Sequence, residues 1–162
     1  MKKFVLTLIS IWSFMILSAL FLFRFYDWYV LTGPSMEPTL RSFDVVLVRQ
    51  KASRLQRGDI VLFQRNGWGI LFNKRVIGLP GDRVEIKKGQ LYVNGKLFQK
   101  GPLAHRKIPH FKSVIVPQGK VFVMGDNPEK STDSRAFGPI PINSIIGKAD
   151  AVIWPLSHFQ FF

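Results

Sequence analysis

An uncharged run of roughly 20 residues, 4–23, stands near the start of the chain and is rich in Leu, Ile, Phe and Val. A helix of about 20 residues is ~30 Å long, which matches the hydrocarbon core of a bilayer. Arg24 and a cluster of aromatic residues follow directly, a pattern typical of the membrane interface. A cleaved signal peptide would carry a shorter apolar region and a small-x-small site. The run therefore predicts an uncleaved transmembrane helix over 4–23, followed by an interfacial linker over 24–31.

Charge adds an orientation and a class of partner. Lys2 and Lys3 precede the run, so the positive-inside rule places the amino terminus in the cytoplasm and the rest on the outer face of the plasma membrane. The net charge of +13 favours an anionic partner, either nucleic acid or anionic lipid. The apolar run favours the lipid bilayer surface, and no nucleic acid is expected. The chain has no cysteine, which excludes disulfides, thiolate metal sites and cysteine nucleophiles.

The remainder of the chain consists of short β-branched and aromatic runs separated by Gly, Pro and Asn turns. The Asn94-Gly95 pair is the strongest hairpin signal among them. No convincing amphipathic helix follows the apolar run. The pattern predicts a mainly β fold, with a compact β-barrel-like or folded-sheet domain over 32–162. Strands are predicted at 44–49, 60–63, 70–77, 84–86, 91–93, 114–116, 121–124 and 151–154.

A single serine, Ser35, is bracketed by two prolines in the stretch 32–40. Proline fixes its own φ and keeps the residue before it out of the helical region. Gly33 admits backbone conformations that other residues avoid. The stretch should therefore be rigid and non-helical and should hold Ser35 in one place. A plain structural turn is the alternative, because serine-containing turns are common.

A serine hydroxyl is a poor nucleophile until a neighbouring base takes its proton. His105, His110 and His158 have no motif around them, and all three are expected to be solvated loop histidines. Lys74 differs because it lies within an apolar strand, where burial lowers a lysine pKa by up to about 3–5 units. A neutral amine there could act as a general base. Strand alternation equally allows Lys74 to face solvent while Arg75 points inward, or both to snorkel.

The loop 125–138 is dense in hydroxyls and carboxylates and contains a possible Asp133–Arg135 pair. A hydroxyl in this loop could accept a hydrogen bond from a buried amine and orient its lone pair. A surface turn rich in turn-forming residues is the alternative interpretation.

Four segments, taken in order behind the apolar run, resemble those of the type I signal peptidases. The resemblance covers the chain from that run to about Gly138 and implies a membrane-bound serine endopeptidase without metal or cofactor. Such an enzyme removes signal peptides from exported precursors after a small-x-small sequence. The region 32–162 would then be its catalytic domain. The four segments are 34–40, 57–63, 74–82 and the loop 125–138.

The resemblance also implies roles for individual residues. Ser35 would be the nucleophile, with its backbone N–H as an oxyanion donor, and Lys74 the general base. Ser131 would orient Lys74, while Asp133 and Arg135 would brace the site without entering the chemistry. Substrate would lie extended beside a strand edge, its small side chains in shallow apolar pockets.

Departures from the family pattern concern the oxyanion hole and the size of the domain. Gly33 stands where some members carry a hydroxyl residue as a second oxyanion donor, and Pro34 has no N–H to replace it. The short spacing between Asp82 and Gly125 leaves no room for the large inserted domain of some relatives. The chain therefore resembles a short form of the family.

Alternative functions follow from the same features. A short member could be a dedicated peptidase that matures one substrate, such as a conjugative pilin. From a different class, a membrane-tethered basic β-barrel binding module would explain the charge and the apolar run, but not the serine and lysine segments. A self-cleaving Ser–Lys repressor would carry a DNA-binding head where this chain has the apolar run. The sequence sets no oligomeric state.

Overall fold

The computed structural model describes residues 2–50, 54–65 and 70–162, apart from the side chains of five residues inside the first helix. That helix, α1, occupies Lys2–Phe23, so the helical state predicted for 4–23 is confirmed. The large apolar side chains that the structure describes in this helix, between Phe4 and Leu20, are exposed. No helix within the described ranges is both long enough and apolar enough to cross a membrane. The transmembrane role of 4–23 stays a prediction.

Short strands make up most of the rest of the described chain. The first, β1, lies inside the segment 24–31 that was predicted as a linker, and it pairs along its whole length with β2. A short α-helix, α2, spans Ser134–Phe137. The strands are β1 (Tyr26–Val30), β2 (Val45–Gln50), β3 (Ile60–Gln64), β4 (Leu71–Gly78), β5 (Arg83–Lys87), β6 (Gln90–Val93), β7 (Lys96–Leu97), β8 (Val114–Ile115), β9 (Lys120–Met124), β10 (Ile140–Pro141), β11 (Ile145–Trp154) and β12 (Gln160–Phe161).

These strands form two antiparallel sheets. The main sheet has eight strands in the order β1-β2-β11-β3-β4-β9-β10, with β12 paired to β11. The small sheet has four, in the order β7-β6-β5-β8. Neither order closes on itself in the described part of the chain. The mainly β prediction is confirmed in its folded-sheet form, and the barrel-like form is wrong.

The main sheet is covered on both faces where β3 passes through it. Ile60 and Leu62 belong to one buried apolar cluster, whereas Val61 and Phe63 belong to another, as the alternation of a strand requires. A strand buried on both faces has no solvent side. Its neighbour β4 can therefore bury polar side chains on either face, and this is the strand that carries Lys74.

Candidate active site

The loop 31–44 joins β1 to β2 and carries Ser35. Met36 and Leu40 are 0% and 1% exposed and fix the loop in the core. Backbone bonds from Glu37 N to Pro34 O and from Leu40 N to Met36 O close tight turns around the serine. Ser35 itself is half-buried. The loop is the compact non-helical segment that the two prolines predicted.

The amine of Lys74 reaches the serine from β4. Its nitrogen lies 2.8 Å from Ser35 Oγ and 2.9 Å from the carbonyl oxygen of Asn73. Lys74 is only 3% exposed. Burial lowers its pKa from 10.5 to about 8, against the opposing effect of the Asp133 and Asp126 carboxylates. The alternative in which Lys74 faces solvent is therefore wrong.

Arg75, the next residue of β4, is also buried and is paired with Asp126. Its Nε and Nη2 donate to the two carboxylate oxygens at 2.8 and 2.6 Å. Thr39 Oγ1 donates to the same carboxylate at 2.5 Å. Asp126 thus connects the strand that carries Lys74 to the loop that carries Ser35. Sequence reasoning assigned no role to Thr39 or Asp126, because nothing in a linear pattern pairs residues so far apart.

The loop 125–138 brings Ser131, Asp133 and Arg135 together, and it packs against the backbone of Ser35. Arg135 Nε and Ser131 Oγ donate to Asp133 at 2.8 and 2.7 Å, so the expected Asp133–Arg135 pair is present. Ser131 makes no hydrogen bond to Lys74, whose amine is held instead by the Asn73 carbonyl. The orienting contact expected of Ser131 is therefore absent.

Gly125 allows this loop to approach Ser35 closely. A Cβ atom at that position would overlap Ser131 Oγ and the Ser35 carbonyl oxygen. The Gly125 N–H also donates to Asp133 at 3.0 Å, and Asn127 N donates to Ser35 O at the same distance. The loop 31–44 and the loop 125–138 therefore meet backbone to backbone.

One backbone donor is available beside the serine hydroxyl. The Ser35 N–H has no acceptor among the residues that the structure describes, so it is free for an oxyanion. The Gly33 N–H instead donates to Ser42 Oγ at 3.0 Å. Gly33, placed in the oxyanion region by the sequence, thus lends no free N–H.

The three histidines fall into two groups. His105 and His110 are exposed, as expected. His158 is not a solvated loop residue, because its side chain is only 14% exposed and pairs with Asp44 at 2.9 Å. That part of the prediction is wrong, since β12 brings this segment back against the loop 31–44.

A cleft of about 270 Å³ lies between the end of β1 and the start of β4. Leu71 to Lys74 pair with β3 on one side only, because pairing with β9 begins at Arg75. On the side of the cleft, this part of β4 lies beyond its pairing with β9. The cleft is lined by Tyr29, Val30, Leu31, Thr32, Leu62, Ile70, Leu71, Phe72 and Asn73.

A serine hydroxyl beside a desolvated amine is the equipment of a hydrolase that works through an activated serine. The family model for signal peptidase, peptidase S26, matches residues 1–154. Signal peptidase IB of Staphylococcus aureus (strain MRSA252) is 39% identical over 82% of this chain and 80% of its own length. Signal peptidase I of Bacillus caldolyticus is 38% identical over 90% of this chain and 88% of its own.

A solved structure adds the fold to this comparison. The crystal structure of a signal peptidase I from Enterococcus faecalis V583 aligns with a TM-score of 0.53 and 35% identity, covering 59% of this chain and 96% of that one. The chain belongs to the signal peptidase family, peptidase S26. It is an enzyme, a serine endopeptidase of the type I signal peptidase kind.

Proposed function

We propose that this enzyme cleaves signal peptides from exported precursors after a small-x-small sequence, with Ser35 as nucleophile and Lys74 as general base. The observation that carries the proposal is the 2.8 Å separation between a 3% exposed lysine amine and the serine hydroxyl. The named relatives are signal peptidases, which supports the same substrate class.

In the first step the neutral Lys74 amine takes the proton of the Ser35 hydroxyl while Oγ bonds to the scissile carbonyl carbon. The Asn73 carbonyl accepts one amine hydrogen, which aims the nitrogen lone pair at the serine. The Ser35 N–H donates to the developing oxyanion. The new ammonium then gives its proton to the leaving amine nitrogen, so the peptide bond breaks and an acyl-serine ester remains.

In the second step water replaces the amine. The neutral Lys74 takes a proton from a water molecule, whose oxygen bonds to the ester carbon. Collapse of the tetrahedral intermediate breaks the bond to Ser35 Oγ, which recovers the proton from Lys74. The signal peptide leaves with a new carboxylate. No group beyond these two side chains and the backbone donor is needed for proton balance.

The cleft beside the serine suits an extended substrate. The substrate backbone would bond to β4 where this strand extends beyond its pairing with β9, as a peptide adding a strand to a sheet does. Buried or half-buried Leu31, Leu62 and Phe72 line the cleft and limit the space for substrate side chains. Small residues on alternate positions of the substrate fit this shape, which supports a small-x-small rule.

We propose further that the enzyme works at a lipid bilayer surface. Val30, Val45 and Trp154 stand in one row across β1, β2 and β11, and the two end residues are largely exposed. Trp28 on β1 and Phe43 in the loop 31–44 are also exposed. Exposed apolar surface on this scale marks an interaction site. The orientation predicted from the lysines at the amino terminus remains a prediction.

Flotation with vesicles of mixed neutral and anionic lipid tests this second proposal. The chain is expected to float with the vesicles, and Trp28→Ser combined with Trp154→Ser is expected to weaken that binding. Leu97→Ser, on the small sheet, is the matched control and should float like the wild type. Flotation of the double variant equal to that of the wild type would contradict a docking role for Trp28 and Trp154.

Cleavage of defined precursors tests the catalytic proposal. The purified chain would be incubated with several exported precursors and one pilin precursor, and new amino termini would be mapped by mass spectrometry. Cuts are expected after small-x-small sequences. Ser35→Ala should reduce cleavage to background, and Lys74→Met should reduce it by at least about 10²-fold. Cleavage of the pilin precursor alone would favour the dedicated peptidase.

The control is His105→Ala, which removes an exposed histidine and should leave the rate unchanged. Full activity in Lys74→Met would exclude the lysine base. Failure of the wild type to cut any precursor in the panel would exclude the proposed function.

A further inference from the structure

The last residues of the chain return to the loop that carries Ser35. After β11 the chain turns at 155–158, and β12 then pairs Gln160 with Val152 and Phe161 with Ala151. A backbone bond from Phe162 N to Asp150 O extends this pairing. The segment 155–162, here called the C-terminal brace, is thus fixed to the main sheet, while the side chains of His158 and Gln160 contact the loop 31–44.

His158 holds one end of that loop. Its Nδ1 lies 3.1 and 2.9 Å from the two carboxylate oxygens of Asp44, which is 2% exposed. The same carboxylate accepts from Arg41 N at 2.8 Å. The Asp44 carbonyl accepts from Leu31 N at 2.9 Å, which closes the neck of the loop. His158 therefore bonds to Asp44, which ends the loop and also holds Leu31 at its start.

Gln160 holds the loop nearer to the nucleophile. Its amide nitrogen donates to the Thr39 carbonyl oxygen at 2.6 Å and lies 3.3 Å from His158 Nε2. A carbonyl only accepts, so the nitrogen end of the amide must face Thr39. The second amide hydrogen then points to His158 Nε2, which accepts it, and the ring proton sits on Nδ1 facing Asp44. A chain of hydrogen bonds thus runs from the Thr39 carbonyl through the side chains of Gln160 and His158 to the Asp44 carboxylate.

Thr39 connects this chain of bonds to the strand of the general base. Its hydroxyl donates to Asp126 at 2.5 Å, and Asp126 is paired with Arg75, the neighbour of Lys74. Thr39 is therefore held through its carbonyl by the brace and through its side chain by the network under β4. The bond from Leu40 N to Met36 O transmits the position of this turn to the residue beside Ser35.

We propose that His158 and Gln160 are positioning residues for the Ser35 nucleophile, a role that rests on the proposed Ser35–Lys74 mechanism. Neither residue lines the substrate cleft. Loss of the brace therefore leaves substrate binding intact and lets the loop drift relative to Lys74. A misplacement of about 1 Å costs up to 10²-fold in rate, so the effect falls on kcat and not on KM.

Precursor cleavage kinetics in four variants test this role. Gln160→Ala and His158→Ala should each lower kcat about tenfold or more while KM stays within about twofold. In His158→Asn the side-chain amide nitrogen can replace Nδ1 as the donor to Asp44, so part of the lost kcat should return. Ser157→Ala, an exposed neighbour within the brace, is the matched control and should match the wild type.

Thermal melting of each variant separates positioning from mere stability. If the brace were only structural, Gln160→Ala would lower the melting temperature while the folded enzyme kept its kcat, and that result would overturn the proposal. Equal losses in His158→Ala and His158→Asn, both folded, would likewise overturn the part that depends on the Asp44 bond.

A wild type that cuts no precursor defeats the proposed function, and the brace is then decided by NMR. In that case the ε-methyl resonance of Met36, next to Ser35, reports the position of the loop directly. A shift of this signal in Gln160→Ala, absent in Ser157→Ala, supports positioning by the brace. An unchanged Met36 signal in Gln160→Ala overturns it.

Discussion

The Lys74 amine nitrogen lies 2.8 Å from the Ser35 hydroxyl oxygen. In the sequence, Ser35 belongs to a loop before β3, and Lys74 belongs to the strand after it. The Asn73 carbonyl, 2.9 Å from the same nitrogen, takes the place expected for a side-chain hydroxyl. Since this carbonyl belongs to β4 itself, the Lys74 amine is oriented by its own strand. The geometry depends on how well the loop and β4 are held together.

The rate of cleavage should follow the protonation state of Lys74. Burial lowers its pKa to about 8, so roughly a tenth of the amine is neutral at about pH 7. Only the neutral amine can accept the serine proton, so kcat/KM should rise about tenfold per pH unit below that pKa and level off above it. Precursor cleavage followed across the neutral and alkaline range measures this. A flat profile would show that another group is the base.

Removal of the amine should stabilise the fold. The folded pKa of Lys74 lies below its usual 10.5, so the folded state binds fewer protons and the free energy of unfolding rises with pH between about 8 and 10.5. Below that window burial of the ammonium costs up to about 3 kcal/mol. Lys74→Met should therefore raise the free energy of unfolding at about pH 7 while it removes activity.

Urea denaturation at several pH values measures the gain. The advantage of Lys74→Met over the wild type should shrink as pH rises from about 8 and vanish above 10.5, where the amine is neutral in both states. Lys130→Met, at an exposed position, is the control and should change stability by no more than about 0.5 kcal/mol. A Lys74→Met protein that is less stable than the wild type at neutral pH would contradict the desolvation argument.

Ser131→Ala should shift the acid limb of the pH–rate profile but leave the plateau rate nearly unchanged. The Asp133 carboxylate raises the pKa of Lys74, and the Ser131 hydroxyl donates to that carboxylate at 2.7 Å. Without this donor the negative charge acts more strongly, so the Lys74 pKa rises and the acid limb shifts to higher pH. The rate at high pH should be retained, because the Asn73 carbonyl still orients the amine.

The same profile decides between two roles of Ser131. A lower plateau with an unmoved limb would show that its hydroxyl orients the amine during turnover. Ser144→Ala, which removes an exposed hydroxyl bonded to the Pro141 carbonyl, is the control and should leave both features unchanged.

The sequence predicted the local pieces well, because each depends on a short pattern. The runs at 60–63 and 121–124 are strands, and the Asn94-Gly95 pair forms the turn between β6 and β7. The strand β1 was missed because its residues, next to the apolar run, resemble a membrane-interface cluster. Burial of Lys74 could not be decided from alternation, since β4 buries both faces and Arg75 is inside as well.

What the sequence could not predict are contacts between distant segments. Asp126 bonds to Thr39 and Arg75, and His158 bonds to Asp44, across separations of 51 to 114 positions in the chain. A polar side chain in a turn-rich stretch has many ordinary explanations, so no local pattern singles out its partner. The Asn73 carbonyl has no sequence signal at all, because every residue carries one.

Asp82 should contribute stability by joining the two sheets. It accepts from Arg57 Nε and Leu79 N, both at 2.7 Å. It also accepts from Nδ2 of Asn94, a residue in the hairpin of the small sheet, at 2.8 Å. Burial raises its pKa, but these bonds outweigh burial and hold the pKa below the usual 3.8. Asp82→Asn should therefore lower the free energy of unfolding by about 1–3 kcal/mol at neutral pH.

The sign of the pH dependence follows from the depressed pKa. The contribution of Asp82 is fully present above 3.8 and is lost as pH falls through the lower folded pKa, where both states become protonated. The gap between wild type and Asp82→Asn should therefore close on acidification. Asp150→Asn is the control, since its partner Arg49 is 51% exposed and such pairs contribute about 0–1 kcal/mol. A gap that does not depend on pH, measured by urea denaturation, would show that the carboxylate charge is not what joins the sheets.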